Sequence, residues 1–380
     1  MASKSRTSSK GSLIKVLLLA DPNSVHTIKW ATSLAYQGIE IVIFGLGNLN
    51  VNNYLNIVNI KVEVLDENIS NNEGTFSKIK YLKAVPKVKK IITSYKPDII
   101  HSHYASSYGL LGALSGFQPF IISVWGSDIF SFPKKSFLHK EILKYNLRKA
   151  KMILSTSHVM ASETTLYTDK NITVTPFGID LNQFKPMKVK SLFDIEDIVI
   201  GTVKTLEEKY GIEYLIRAFK ILHDKYLELP LKLLIVGGGS LEPKLIKLVY
   251  ELQIESKTIF TGQVVFQDVP KYHNMLSVSV SVSISNSESF GVAIIEASAC
   301  EIPVVVSNVG GLPEVVSSEE TGLVVPLKNS EETANAIEKL ILDEKMRTKM
   351  GKAGRKRVEN LYNWTNNMTQ MIQIYEDIIQ

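Results

Sequence analysis

Two glutamates eight residues apart, Glu288 and Glu296, bracket the stretch of this chain best suited to chemistry. Between them Ser285, Asn286, Ser287, Ser289 and Gly291 make a polar turn, and the run from Val292 to Cys300 has no Pro or Gly and reads as a helix. The first N–H groups of a helix have no acceptor within it, and the macrodipole favours negative charge there, so the turn reads as a phosphate cradle. Glu296 falls among Val292, Ala293, Ile294, Ile295, Ala297 and Ala299. A carboxylate in that company needs a hydroxyl or N–H partner.

The elements that must position this turn follow from the pattern on either side. Val278, Val280, Val282 and Ile284, alternating with serines, predict a strand that feeds it. At the other end of the chain, Leu13–Ala20 predicts a buried strand, followed by a helix through Trp30, Leu34 and Ala35 that stops at Gly38, and a second strand over Ile39–Gly45. Strand, helix and strand at this spacing imply a doubly wound α/β sheet. A chain of 380 residues is too long for one ordinary core. Residues 1–12, rich in Ser and Lys, read as a disordered tail, residues 13–185 as one domain and 186–360 as a second, with Lys185–Asp197 as linker.

Composition excludes several classes. No apolar run approaches the ~20 residues of a membrane span, and the single cysteine, Cys300, excludes an intrachain disulfide, so a cytoplasmic protein is expected. Residues 1–190 carry 24 Lys and Arg against 12 Asp and Glu, whereas residues 191–380 carry 19 against 26. The first half therefore faces something anionic. No recognised nucleic-acid motif is present, and a membrane surface or phosphate-bearing lipid fits better. Phe76–Tyr95 offers one such surface: Phe76, Ile79, Leu82, Val85, Val88 and Ile92 recur at helical steps, with Lys78, Lys80, Lys83, Lys87, Lys89 and Lys90 between them. That helix can lie on an anionic membrane or pack on the sheet with a solvated lysine face.

The segment S-E-S-F-G-V-A-I-I-E-A resembles the E-x7-E signature of retaining glycosyltransferases of the GT-B fold, family 4, and further motifs extend the likeness over nearly the whole chain. Pro97–His103 resembles the family's P-D-x-x-H-x-H strand end, and Trp125-Gly126-Ser127-Asp128 matches a family loop at Asp128 but has Trp125 where a catalytic histidine is usual. His103, His26 or a backbone carbonyl must then take its place as proton acceptor, or the site is not catalytic; a structural role for His101 and His103 at a strand end is the alternative reading of those two residues. After the first strand the family often has a Gly-Gly pair, replaced here by Pro22–His26. Ser24 and His26 can offer hydrogen bonds to substrate, or serve as N-cap and local partner. Thr175–Asp180 resembles the family hinge. Lys204–Gly211 resembles its R-x-x-x-x-K-G loop, with Lys204 for Arg and Tyr210 inserted. Two cations at that spacing suit a diphosphate that gains charge as its bond breaks.

The resemblance implies two Rossmann-like domains facing across a cleft, the last helix (361–380) crossing back to the first, and transfer of a sugar from a nucleotide diphospho-sugar to an acceptor hydroxyl with retention. In that scheme Glu296 receives the ribose hydroxyls and Glu288 those of the sugar. The backbone at Ser289, Phe290, Gly291 and Val292, together with Lys204 and Lys209, holds the diphosphate, and Gly238 and Gln263 lie on the nucleobase side. The chain contains no D-x-D, so no metal cofactor is expected. A lipid-linked saccharide at the inner face of a membrane is the expected acceptor. The alternatives are a nucleotide-sugar epimerase and a non-catalytic partner in polysaccharide assembly.

Overall fold

The computed structural model describes residues 13–65 and 82–380. The predicted tail and the segment with Phe76, Lys78, Ile79 and Lys80 lie outside the described residues. The chain divides into two compact units, one with residues up to Ser155, Glu163–Thr173 and Met368–Gln380, the other with Thr156–Ser162 and Val174–Asn367.

In the first unit β1 (Lys15–Leu19), β2 (Glu40–Gly45), β3 (Ile60–Val64), β4 (Ile99–His103), β5 (Phe120–Val124), β6 (Met152–Ser155) and β7 (Ile172–Val174) form a seven-stranded sheet in the order β3-β2-β1-β4-β5-β6-β7. The strands β3 through β6 pair in parallel, with Val16 facing Ile41 on one side and Ile99 on the other. All of β4 and β5 is buried, as expected for parallel strands covered on both faces. The connecting helices are α1 (Val25–Tyr36), α2 (Ala84–Tyr95), α3 (Ser107–Ser115), α4 (Ser127–Phe130) and α5 (Phe137–Lys149). The seam of α2 differs from the predicted stripe: Ala84, Val88 and Ile91 are buried, Val85 and Ile92 are half-buried and Leu82 is exposed. Lys83, Lys89 and Lys90 are exposed, while the Lys87 ammonium donates to the Val64 carbonyl.

The second unit repeats the plan. Its strands β8 (Ile198–Val203), β9 (Leu231–Val236), β10 (Thr258–Phe260), β11 (Val278–Ser281), β12 (Val304–Ser307) and β13 (Gly322–Val325) form a six-stranded parallel sheet, β10-β9-β8-β11-β12-β13. Its helices, after α6 (His158–Thr164), within which the division between units falls, are α7 (Ile212–Lys225), α8 (Glu242–Glu251), α9 (Val269–His273), α10 (Val292–Ala299), α11 (Leu312–Val315), α12 (Ser330–Leu342) and α13 (Glu344–Leu361). The apolar face of α7, Leu215, Ile216, Phe219 and Leu222, recurs at three- and four-residue steps and joins the buried core of the sheet. The strand leading to the polar turn is shorter than its alternation predicts. It leaves the ladder after Ser281, and the Ile284 amide donates to the Lys209 carbonyl at 2.8 Å instead.

The last helix, α14 (Trp364–Ile379), belongs to the first unit from Met368 onwards. There Tyr375 is fully buried with its hydroxyl 2.7 Å from His101 Nδ1, and Lys151 Nζ donates to the Ile378 carbonyl at 3.1 Å. In each sheet the strand order reverses beside the first strand of the unit, between β1 and β4 and between β8 and β11. The crevice at the carboxyl ends of the strands there is where such sheets bind ligands.

Candidate active site

Four loops meet at the carboxyl edge of the second sheet. They follow β8 (Lys204–Gly211), β9 (Gly237–Ser240), β11 (Val282–Gly291) and β12 (Asn308–Gly311). Close backbone approach holds them together. A side chain at Gly237 would collide with the Lys204 carbonyl, and one at Gly310, where φ is +53°, with the Glu288 carbonyl. The Gly311 amide donates to that same Glu288 carbonyl at 2.8 Å, and Glu207 accepts from both the amide and the hydroxyl of Ser240 at 2.9 and 2.6 Å.

Within this frame Lys204 Nζ lies 3.0 Å from Glu288 Oε2, which also accepts from the Ser283 hydroxyl at 3.3 Å. Both partners of the ion pair are largely shielded from solvent. Burial alone would lower the Lys204 pKa; the Glu288 carboxylate, then Tyr210 and Glu296, reverse that and raise it above the ordinary lysine value, so the residue is a permanent cation. Tyr210 is more than an insertion in the loop. Lys204 Nζ stands 4.3 Å and Lys209 Nζ 4.7 Å from its ring centroid, so one aromatic ring gathers both cations. Lys209 is exposed.

Gly291 begins α10 with φ +99° and no side-chain cap. The carboxylate of Glu296, a turn and more into α10, is buried, and its neighbour is His273 on α9, with Nε2 3.5 Å from Glu296 Oε2. The partner expected for this carboxylate is thus a buried imidazole at ion-pair range, outside hydrogen-bond distance. Nothing in the sequence singled out His273, because its distance from Glu296 in the chain hides a contact between consecutive helices. Gly238 and Gln263 are neighbours, with the Gly237 amide donating to the Gly262 carbonyl at 3.0 Å.

The first unit has its own cluster at the carboxyl ends of β1, β4 and β5. Trp125 is buried; the ring of His103 packs against it at 4.2 Å between centroids and 38°, His26 meets it edge-on at 5.7 Å, and Tyr104 at 5.4 Å. Both histidines named for proton acceptance therefore flank the tryptophan. His103 is buried with Nδ1 unpartnered, and burial, then His101 and His26, hold its pKa well below the ordinary value, so its ring is neutral. His101 is a structural residue: Nδ1 meets Tyr375 and Nε2 meets Ser123 Oγ at 2.8 Å, and burial lowers its pKa to about 3.

Asp128 is committed to the backbone. Its carboxylate accepts from the amides of Ala105 and Gly126, each at 2.8 Å, and Trp125 at 3.2 Å. Burial pushes the carboxyl up and these amides pull against it, leaving it above the usual aspartate value. The result fixes the Trp125 loop against the turn at Tyr104, which holds φ +74°. Ser24 is the N-cap of α1 by position, yet its hydroxyl makes no capping bond. The loop before it is closed by Asn23, whose side chain donates to the Asn48 carbonyl and accepts from the Asn50 amide.

Two parallel sheets of Rossmann order, each with its loops gathered at the switch point, define the GT-B fold, and solved structures agree. Sucrose-phosphate synthase from Thermosynechococcus elongatus superposes with a TM-score of 0.81 at 22% identity, covering 96% of this chain and 98% of that one. Anabaena HepE in complex with UDP and glucose does so at 0.77 and 20%, covering 96% and 99%. Residues 183–357 match the family model of glycosyl transferases group 1, and residues 15–157 that of the glycosyl transferase 4-like proteins. The capsular polysaccharide biosynthesis glycosyltransferase CapM of Staphylococcus aureus is 31% identical over 305 residues, 74% of this chain and 77% of that protein. The chain belongs to the group 1 glycosyltransferases.

Proposed function

We propose that this glycosyltransferase moves a sugar from a nucleotide diphospho-sugar to an acceptor hydroxyl with retention of configuration. The observation that carries the reading is the convergence of Lys204, Lys209, Glu288, Glu296 and the start of α10 at one edge of the second sheet. Donor diphosphate meets Lys204, Lys209 and the amides from Ser289 to Val292; Glu296 takes the ribose hydroxyls, Glu288 those of the sugar, and Gly238 and Gln263 flank the base. The lysines supply the charge that a metal would otherwise bring, so no metal is required. HepE was crystallised with UDP and glucose, which, of a UDP- or GDP-linked donor, supports the UDP-linked one.

The leaving phosphate oxygen accepts the acceptor's proton on the face where the new bond forms. A protein base is then dispensable, in keeping with Trp125 at the usual histidine position and with a His103 ring that is buried rather than presented. Acceptor binding falls to the first unit, through Ser24, His26 and the Trp125 loop. The acceptor in this reading is a lipid-linked saccharide, and the likeness to CapM supports a place in surface polysaccharide synthesis. Among the described residues no helix is long and apolar enough to cross a membrane.

Proton NMR of the product tests the stereochemistry. The anomeric coupling of the transferred sugar should match that of the donor from the first turnover. An inverted anomer contradicts the retaining reading, and deuterium entering the donor sugar from solvent without transfer would mark an epimerase.

A further inference from the structure

The first unit carries another surface of unusual composition, on the segment that runs from the loop after β5 back to the start of β6. From Phe132 to Lys151 the chain has seven cations against the single acid Glu141. This is half of the excess of basic over acidic residues in positions 1–190. Most of the segment is α5, which buries Leu143, Asn146 and Leu147 on its inner side. At its first turn two large apolar side chains point outwards, Phe137 at 79% and Leu138 at 62% exposure. Leu166, in the 3-10 turn that follows α6, is 65% exposed. Phe137, Lys144 and Arg148 share a helix face by their seven- and four-residue steps. The lower part of that face, with Tyr145 and the facing Tyr167 and Lys170, lines an open cleft of about 400 Å³.

We infer that this face docks the protein on an anionic phospholipid bilayer. Phe137 and Leu138 enter the boundary of the acyl chains, and Lys140, Lys144, Arg148 and Lys149 remain at the depth of the headgroup phosphates. Bare apolar side chains beside cations fit this environment because each kind of group finds its preferred depth, the long basic side chains keeping their charges in the polar layer. A nucleic acid would use the cations but leave Phe137 and Leu138 in water. The helix α2 is less suited: Ala84, Val88 and Ile91 face the core, Val85 and Ile92 are half-buried, and the exposed Leu82 lies just before the helix, beside Lys83. The inference extends the reading of a lipid-borne acceptor by naming the surface that would meet the membrane. It rests on that reading only for its purpose, since vesicle binding is measured without turnover.

Flotation of the full-length protein with phosphatidylcholine vesicles, with and without phosphatidylglycerol, tests it. Binding should require the anionic lipid and weaken with salt. Phe137→Ser with Leu138→Ser should reduce partitioning about tenfold or more. Lys140→Glu with Lys149→Glu should reduce it by about fivefold or more for each cation lost, whereas Lys89→Ala with Lys90→Ala changes it far less. Tryptophan emission of Phe137→Trp should shift to the blue on anionic vesicles and stay unshifted on neutral ones. Equal binding to both vesicles, unchanged partitioning of the Phe137/Leu138 variant or an unmoved Phe137→Trp spectrum would each overturn the assignment. Nucleotide-induced stabilisation, measured on the same variants, reports separately on the donor site.

Discussion

Lys204→Ala should lower turnover about 10²–10³-fold, the scale of losing one preorganised charge at a developing oxyanion. It should also destabilise the second unit, because it strands the shielded Glu288 carboxylate, which now lies 3.0 Å from the ammonium. Breaking such a pair from one side costs about 3 kcal/mol. The two effects are separable. Lys204→Met with Glu288→Gln removes both charges, so unfolding in urea should return close to that of the parent protein while turnover stays low. Recovery of turnover in the double variant would show that Lys204 acts only as the counter-ion of Glu288. Lys209→Ala, at an exposed position, lacks the stability cost and isolates the catalytic term.

The second large effect comes from a residue that touches no ligand in this account. Gly310→Ala places a Cβ against the Glu288 carbonyl at a backbone φ of +53°. Backbone strain of this kind costs about 1–3 kcal/mol, and relief requires the Glu288 turn to move. Because the Gly311 amide holds that turn from the next position, the displaced residues include both Glu288 and the start of α10. Calorimetric titration should show donor-nucleotide affinity falling by at least about tenfold, with secondary structure unchanged. Native affinity in this variant would mean that the turn is not part of the nucleotide site.

Much of this arrangement was legible in the sequence, and the reasons are physical. The strand runs at Ile198–Val203, Leu231–Val236 and Val304–Ser307 are short, apolar and β-branched, so their positions follow from composition alone, and the polar turn at Ser285–Gly291 follows from its place between a strand and a helix. Why Gly310 and Gly311 must be glycine appears only when the Glu288 turn is seen lying on them. His273 behind Glu296 and Tyr375 behind His101 were invisible for the same reason: each contact joins helix to helix or helix to strand through tertiary packing, which leaves no periodic trace. The dual role of Tyr210 was hidden because a ring shared by two cations depends on side-chain direction. Asp128 could be picked out by its motif, but its commitment to three backbone amides depends on where the Tyr104 turn passes.

The central claim is that the loops of the second unit bind the nucleoside diphosphate of the donor through side-chain cations. Thermal unfolding with UDP, GDP, ADP and dTDP at matched concentrations, with magnesium and with a chelator, tests it most directly. One nucleotide should stabilise the protein by about 2.7 kcal/mol at a hundred times its dissociation constant, equally with and without magnesium, and Lys204→Met with Glu288→Gln should abolish the shift. No shift with any nucleotide, or a shift that vanishes with the chelator, would contradict it.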